Sequence, residues 1–266
     1  MPEEGSLGGD LPETYYIAYV NDLDNIGENA TPCLIEGNEF THITDKRDDK
    51  IYKVTQIGDQ CWFAENLVYT TPECLGATWN SSSPFNACRT HDPNEGGWPG
   101  DFQDGLSTGM VLYQWEAAMD WDGVTPKEEL EGAQGLCPEG WHVSSHGDWT
   151  NLENYLCEFL GNEDCEEVFP NDTTTEGWRG TNEGQQLKSL DPSWDGTNIF
   201  GVNALPTGFR GNTGTLVDVG WDTYWWTSTS SGDSAWDRNL VAFDLNIYRG
   251  NNSQAYGVSI RCIFDQ

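Results

Sequence analysis

The chain has 266 residues, with 44 acidic and 12 basic side chains and a formal net charge of −32 at pH 7. This charge argues against nucleic acid and anionic lipid as partners, because attraction to phosphate needs clustered Lys and Arg. No apolar run is long enough to cross a bilayer, so we expect no membrane insertion. The eight cysteines show no C-x-x-C spacing, which favours disulfides in an oxidising compartment over a zinc site.

Three regions differ in composition along the chain. Residues 1–12 are rich in Gly, Pro and Glu and are predicted to be a disordered tail. Residues 13–50 contain one predicted strand, at 14–20, in a polar segment, and are expected to pack on the following domain as an N-terminal extension. That domain is predicted to span residues 51–266.

The domain begins with a predicted hairpin followed by a long loop. Residues 51–67 have the pattern of two strands joined by a turn at Gly58. Residues 70–105 are rich in Pro, Ser, Asn and Gly and are too long for an unsupported connection. We therefore predict that a disulfide between Cys74 and Cys88 closes this loop.

Helices are predicted in the middle of the chain. The spacing of apolar side chains indicates helices over 107–121 and 126–133. The strongest signal covers 145–160, where Ser145 and Asp148 can form a capping box. The apolar stripe of that helix consists of Trp149, Leu152, Leu156, Phe159 and Leu160.

The C-terminal third predicts one short helix followed by strands. The helix is expected over 183–190, and strands over 224–226 and 256–262 because aromatic and β-branched residues dominate both segments. Gly232 and Gly250 are interpreted as breaks between strands. Together with the helices, these elements predict an α+β architecture with irregular connections.

An extended segment between the two predicted strands has two different faces. Trp236, Arg238 and Leu240 alternate with polar or small residues, so they share one face and their neighbours share the other. We expect the first face to be anchored and the second to be free.

The run 237–253 contains no Lys, Glu, Gln, Met or Trp, although these types account for 51 of the 266 residues. They are the amino acids that an NNC codon cannot encode, and an AAC codon with randomised adenines becomes NNC. The composition is therefore compatible with a diversified segment. The alternative is that Asn, Asp, Ser and Gly gather in any exposed loop.

Five segments of the chain resemble the Fibrobacter succinogenes major paralogous domain family. They occur in the order expected for that family, between residues 52 and 265. The segments are IGDQCWFAENL, CPEGWHVSSHGDW, FGVNALPTGFR, YWWTST and YGVSIRC. The resemblance implies a C-type lectin-like fold with a twisted antiparallel sheet, two main helices and long loops, related to formylglycine-generating enzymes.

A narrower resemblance concerns the segment AWDRNLVAFDLNIYRGNNSQAYGVSIRC, which is similar to the variable regions of proteins diversified by retroelements. It implies a variable ligand-binding face over 222–254 and scaffold roles for Trp236, Arg238, Leu240, Ile247 and Arg249. The residues expected to be displayed are Asp237, Asn239, Val241, Phe243, Asp244, Asn246, Tyr248, Gly250, Asn251 and Asn252. Aromatic and short polar side chains of this kind suit a binding surface.

Lectin-like domains commonly join the start of the helical half to the last strand, so the resemblance implies a Cys137–Cys262 disulfide. Cys157 and Cys165 are then expected to pair across the end of the helix. Cys33 and Cys61 remain to form the fourth disulfide, by elimination.

No catalytic or metal-binding residues are assigned. His142 and His146 are four apart, but His142 precedes the predicted cap, so one helical face does not carry both. We expect no cofactor. The 44 carboxylates are compatible with a structural calcium ion, whereas the missing EPN, QPD and WND tripeptides argue against calcium-dependent sugar binding.

The sequence therefore predicts a non-enzymatic, extracellular or surface-attached protein, on a cell or a virion, that binds an unknown protein or glycan through a diversified face. An adhesin or carbohydrate-binding module without diversification is the main alternative. A modifying enzyme related to formylglycine-generating enzymes is a third, and it would need two reactive thiols.

Overall fold

The computed structural model describes residue 33 and residues 41–82, 86–90, 110–191 and 193–265. The predicted tail and the predicted strand at 14–20 lie outside the described residues. No helix in the described part of the chain is long and apolar enough to cross a membrane.

Short helices and many strands make up the described chain. The helices are α1 (Pro72–Gly76), α2 (Trp115–Ala118), α3 (His146–Phe159), α4 (Cys165–Val168) and α5 (Glu183–Leu187), with a 3-10 helix at Lys127–Leu130. The strands are β1 (Thr41–Asp45), β2 (Lys50–Ile57), β3 (Gln60–Phe63), β4 (Cys88–Thr90), β5 (Val111–Tyr113), β6 (Trp141–Val143), β7 (Gly177–Arg179), β8 (Phe209–Arg210), β9 (Leu216–Val217), β10 (Asp222–Ser231), β11 (Ser234–Val241), β12 (Ile247–Ser253), β13 (Ser259–Ile260) and β14 (Cys262–Phe264).

Two five-stranded sheets organise the domain. The first has the strand order β1-β2-β3-β14-β6 and the second β13-β10-β11-β12-β7, while β4-β5 and β8-β9 form two-stranded sheets. Every pairing is antiparallel except that of β10 with β13. The architecture is mixed α and β, as predicted, with the last strands of the chain divided between the two large sheets. Strand β1 comes from the segment predicted to be an N-terminal extension.

The predicted hairpin and the main helix are both confirmed. Strands β2 and β3 are joined at Gly58, whose φ of 58° suits glycine. Helix α3 begins after Ser145, whose hydroxyl accepts a hydrogen bond from the amide of Asp148, while the Asp148 carboxylate accepts one from the amide of Ser145. This reciprocal capping box satisfies two backbone donors that a helix start leaves open.

Helix α3 lies in a core that joins both large sheets. The indole of Trp149 stacks on Trp225 of the second sheet, with 5.3 Å between ring centroids, and contacts Trp62 of the first sheet at 5.0 Å. Leu152 and Leu156 are buried beside it, as predicted. Phe159, assigned to the same stripe, is instead 57% exposed, because it lies on the last turn of the helix, at the margin of this core.

The helix predicted over 107–121 begins outside the described residues, at 107–109, and is wrong over 110–114. Val111–Tyr113 form strand β5, and only Trp115–Ala118 are helical. Tyr113 exchanges two backbone hydrogen bonds with Val258, which is distant in the sequence. Pairing of this kind overrides a local helical pattern. The helix predicted over 126–133 is reduced to the short 3-10 helix.

All four predicted disulfides are present, and none of the eight cysteines is free. The pairs are Cys33–Cys61, Cys74–Cys88, Cys137–Cys262 and Cys157–Cys165. The third closes 125 residues of chain and ties the segment before β6 to β14. A loop of that length contributes about 4–5 kcal/mol in the chain-entropy description.

Candidate ligand-binding face

Strand β11 lies at the centre of the second sheet, between β10 and β12. Its register aligns Arg238 with Trp225 on one side and Arg249 on the other, and aligns Asn239 with Tyr224 and Tyr248. Directly opposed residues in a sheet point to the same face, and successive residues point to opposite faces. The strand therefore has two faces, as the sequence predicts.

The face toward helix α3 is built around a buried carboxylate. Glu153 is fully buried, and its Oε1 accepts a hydrogen bond from Nε of Arg238 at 2.5 Å. Its Oε2 accepts from Nη2 of Arg249 at 2.5 Å and from Nε of Arg249 at 3.0 Å. One carboxylate thus binds two arginines from neighbouring strands, which fixes β11 and β12 against the helix. We call this group the Arg-Glu-Arg cluster.

His146 extends this cluster without adding charge. Burial and the positive charges of Arg238 and Arg249 lower the pKa of His146 to about 3, so the imidazole is neutral at physiological pH. Its ring contacts Trp236 edge to face, with 5.0 Å between centroids. Trp236, Arg238, Leu240, Ile247 and Arg249 are all at most 2% exposed, which agrees with their predicted scaffold role.

The opposite face of the sheet carries a row of aromatic and amide side chains. Register places Tyr224, Asn239, Tyr248 and Trp178 side by side on four neighbouring strands. Trp178 meets Tyr248 edge to face at 5.1 Å between centroids. At the other end of the row, Phe209 meets Tyr224 in the same manner, also at 5.1 Å.

A cavity of about 380 Å³ lies on this row, and its size falls within the range of small-ligand sites. It is lined by Trp178, Phe209, Asp222, Tyr224, Asn239, Val241, Tyr248, Asn252, Tyr256 and Val258. Five of these ten residues are aromatic, and among the lining residues none is Lys, Arg or His. We call it the aromatic cavity.

One carboxylate, that of Asp222, lines the aromatic cavity and gives it a negative character, and a second, that of Asp237, is hydrogen-bonded to a lining residue. Burial raises the pKa of Asp222 to about 6, so this lining residue is ionised at neutral pH. Asp237 lies behind Asn252, whose Nδ2 donates to its Oδ2 at 2.5 Å, and its Oδ1 is buried without a partner among the described residues. Burial raises the pKa of Asp237 to about 7.

The loop that joins β11 to β12 is held through its backbone. Lys188 is fully buried, and its Nζ donates to the carbonyl oxygens of Val241 and Asp244 at 2.6 Å each and to that of Ala242 at 3.5 Å. The amide of Gln185 donates to the carbonyl of Leu245 at 3.1 Å. These contacts involve no side chain of the loop.

The Fibrobacter succinogenes major domain matches the chain over residues 55–263. The chain belongs to this family. The match runs from within β2 to within β14 and therefore includes the Arg-Glu-Arg cluster and the aromatic cavity. Comparison with curated proteins and with solved structures gives no match.

Within this Fibrobacter succinogenes major domain, the residues predicted to be displayed separate into groups. Asn239, Val241, Tyr248 and Asn252 line the aromatic cavity. Phe243 is 81% exposed on the β11–β12 loop and lies 5.3 Å from the Trp221 ring, measured between centroids. Asp244 and Asn246 are partly exposed on the same loop.

The expectation that the second face of β11 is free is wrong for its central residues. Asp237 is fully buried and Asn239 is 4% exposed. The Asn252 side chain donates to Asp237, and Asn239 lies in register between Tyr224 and Tyr248. Gly250 is buried in the middle of β12 rather than between strands, and a Cβ there would lie 2.6 Å from Oδ1 of Asp237. Asn251 is opposite Trp236 in the register and so belongs to the scaffold face.

Sequence reasoning missed six of the ten residues that line the cavity. Trp178, Phe209, Tyr256 and Val258 come from strands and loops outside the segment assigned to ligand binding, and Asp222 and Tyr224 were inside that segment but were not singled out. Phe209 and Tyr256 do occur in the motifs that identified the family. Their presence in those motifs carried no indication that they face one cavity.

A second cavity, of about 620 Å³, lies between the β2–β3 turn and helix α3. His142 lies in its wall and contacts Asp148 at 3.1 Å and Asp265 at 2.6 Å. Burial lowers the pKa of His142, but these two hydrogen bonds outweigh it and leave the pKa above its usual value. In the part of the chain that is described, no group of three His, Cys, Asp or Glu side chains is arranged to hold a metal ion.

Proposed function

We propose that this Fibrobacter succinogenes major domain is a non-enzymatic ligand-binding protein of the receptor or adhesin type. In this proposal a C-type lectin-like scaffold presents a ligand-binding face over residues 222–254, and retroelement-directed mutation diversifies positions within its run 237–252. The observation that carries the proposal is that the two faces of β11 and β12 lie in different environments. Predicted scaffold residues are buried around the Arg-Glu-Arg cluster, whereas four predicted variable residues line one cavity.

The backbone contacts of Lys188 support tolerance to sequence change. A loop held at the carbonyls of Val241, Ala242 and Asp244 has part of its path fixed by contacts that do not involve its own side chains. A diversified surface needs this property, since each new sequence must fold before it can be selected for binding. The composition of the run 237–253 supports the same reading.

Two further observations support a secreted or surface-attached binding protein. All eight cysteines are in disulfides, which suits an oxidising, extracellular setting. The same pairing leaves no thiol for a mechanism like that of formylglycine-generating enzymes, which depends on reactive cysteines. The ligand in this proposal is a protein or a glycan, and the negative net charge of the chain disfavours nucleic acid.

The decisive experiment is nucleotide sequencing of the 3′ end of the gene in many cells of the source population. Substitutions should fall within codons 237–252, while the codons of Trp236, Arg238 and Arg249 and codons 256–262 stay unchanged. A nearby reverse transcriptase gene and a second copy of the segment should accompany them. Uniform codons throughout would reject diversification and leave an ordinary adhesin or a carbohydrate-binding module.

A library experiment tests the scaffold half of the proposal with a matched control. One library randomises Asn239, Val241, Tyr248 and Asn252 together, and the control library randomises four scaffold positions of the same strands. We expect a large fraction of folded, protease-resistant members in the first and few in the second. Equal fractions would show that the two faces do not differ in tolerance.

A further inference from the structure

The chemistry of the aromatic cavity indicates what it binds. We propose that it accepts a cationic side chain, a lysine or an arginine, presented by a protein partner. This inference rests on the proposed ligand-binding function and specifies its chemistry. Three features of the cavity support this assignment: its rings, its carboxylates and its rim.

The rings form two walls. Phe209, Tyr224 and Tyr256 make one wall, with centroid distances of 5.1 Å and 5.5 Å from Phe209 to the other two rings. Trp178 and Tyr248 make the other. Tyr224 and Tyr248 stand on strands two apart in the sheet, so about 10 Å separates their Cα atoms. A cation between such walls is within reach of ring faces, which attract positive charge through their quadrupoles.

The carboxylates favour a cation over a neutral ligand. Asp222 lines the cavity, and its Oδ2 accepts a hydrogen bond from the Tyr224 hydroxyl at 3.0 Å. Asp237, fully buried behind Asn252, retains an unpartnered Oδ1 in the described structure. Among the lining residues there is no basic side chain to neutralise this charge. A cavity lined by five aromatic rings and one carboxylate, with no basic side chain among its lining residues, favours a cation over an anion.

The rim favours a cation attached to a protein rather than a free amine. Trp178 at the edge of the cavity is 41% exposed. An exposed aromatic residue at the edge of a pocket offers contact area for the chain that carries the inserted side chain. The net charge of −32 attracts basic partners over a longer range.

The cavity also divides between fixed and variable residues. Phe209, Asp222, Tyr224 and Tyr256 lie outside the run 237–252, whereas Asn239, Val241, Tyr248 and Asn252 lie inside it. The proposal therefore gives the protein a constant anchor for a basic side chain, surrounded by positions that adjust specificity. Different diversified versions would bind different partners and would all require a basic residue at the contact.

The test uses blocked pentapeptides Gly-Gly-X-Gly-Gly, with X as arginine, lysine, citrulline or norleucine, titrated into ¹⁵N-labelled protein. Citrulline has nearly the shape of arginine but is uncharged, with a carbonyl oxygen in place of one terminal nitrogen. We expect the arginine and lysine peptides to shift the Trp178 indole signal, assigned by its loss in Trp178→Phe. Citrulline and norleucine peptides should bind about tenfold more weakly or not at all.

Asp222→Asn should weaken binding of the arginine peptide by about five- to tenfold, whereas Asp233→Asn, the same change in the exposed β10–β11 turn, should leave it unchanged. Thermal unfolding of each variant verifies that it is folded. Binding should also weaken as the pH falls from 8 to 5, because Asp222 becomes protonated near pH 6 and Asp237 near pH 7. The other charged groups near Asp222 are Asp218 and Lys188.

Three results would overturn the inference. They are equal binding of the citrulline and arginine peptides, unchanged binding in Asp222→Asn, and no shift of Trp178 with any peptide. If chitotriose shifts the same signal with an affinity that Asp222→Asn does not change, the cavity is a carbohydrate site instead. None of these results changes the outcome expected from population sequencing. Failure of the cation-binding inference is therefore distinct from failure of the proposed diversification.

Discussion

The two faces of β11 and β12 belong to the same strands but are stabilised in different ways. The face toward helix α3 buries two arginines on one carboxylate, and both arginines depend on that carboxylate. The opposite face has a cavity, aromatic rings in pairwise contact and polar groups with incomplete partners. Side chains on the first face are therefore interdependent, whereas many on the second can change singly.

This difference teaches where a protein can vary without losing its fold. Successive side chains in a strand point to opposite faces. One residue can therefore be fixed by packing while the next can change. Asp237 and Gly250 show the limit of this separation, since they lie on the variable face but are buried against each other. Substitutions on the two faces of β11 and β12 test this difference, and the largest effect is expected at Glu153.

Glu153→Ala should cause the greatest loss of stability. It leaves Arg238 and Arg249 buried without a counter-charge, which costs about 3–5 kcal/mol in the free energy of unfolding. Urea denaturation with disulfides intact measures the change. Glu158→Ala, an exposed position on the same helix, should stay within about 0.5 kcal/mol of the parent protein. Similar losses in both variants would mean that the cluster does not anchor the strands.

Asp237→Asn should change the pH dependence of stability. The pKa of Asp237 is about 7 in the folded protein and about 3.9 in an unfolded chain. Between these values the folded state holds a proton that the unfolded state has lost, so stability falls as pH rises from about 4 to about 7. Asp237→Asn lacks this loss. Between pH 4 and pH 8 its free energy of unfolding should therefore rise by about 2–4 kcal/mol relative to that of the parent protein.

Urea denaturation at a series of pH values measures this difference, and the exposed Asp233→Asn serves as its control. Asp237 is also influenced by Arg238 and Glu176 and by the hydrogen bond from Asn252. A parallel pH dependence in Asp237→Asn and the parent would show that Asp237 is ionised in the folded state at all these pH values.

Gly250→Ala should destabilise the protein through a steric conflict with Asp237. The new Cβ would lie 2.6 Å from Oδ1 of Asp237, and overpacking of this kind costs about 1–3 kcal/mol. Gly76→Ala is the matched control, because a Cβ there meets nothing within 4 Å. In an Asp237→Ala background the cost should shrink, and a double-mutant cycle measures the coupling. A coupling of zero would mean that positions 237 and 250 vary independently.

Phe243→Ser should have the smallest effect on stability. Its ring is 81% exposed, and the backbone of its loop is held by Lys188. The free energy of unfolding should therefore change by no more than about 0.5 kcal/mol. Leu240→Ala on the scaffold face should cost about 2–5 kcal/mol in the same assay. If Phe243→Ser approaches the cost of Leu240→Ala, the loop depends on its side chains and the distinction between the faces fails.

Local patterns in the sequence were sufficient for a large part of the fold. The capping box at Ser145, the turn at Gly58 and the alternation along β11 depend on neighbours within a few residues, and all three are present in the structure. The resemblance to family motifs supplied the Cys137–Cys262 pairing, which local patterns do not contain.

The tertiary structure alone decided which residues meet at the aromatic cavity and which are covered. Trp178, Phe209 and Tyr256 come together because β7, β8 and the segment before β13 converge on one face of the second sheet. The burial of Asp237 depends on its register with Gly250, and strand β5 replaced a predicted helix because it pairs with a distant segment. Periodicity assigns a side chain to a face, but only packing between distant segments determines what covers that face.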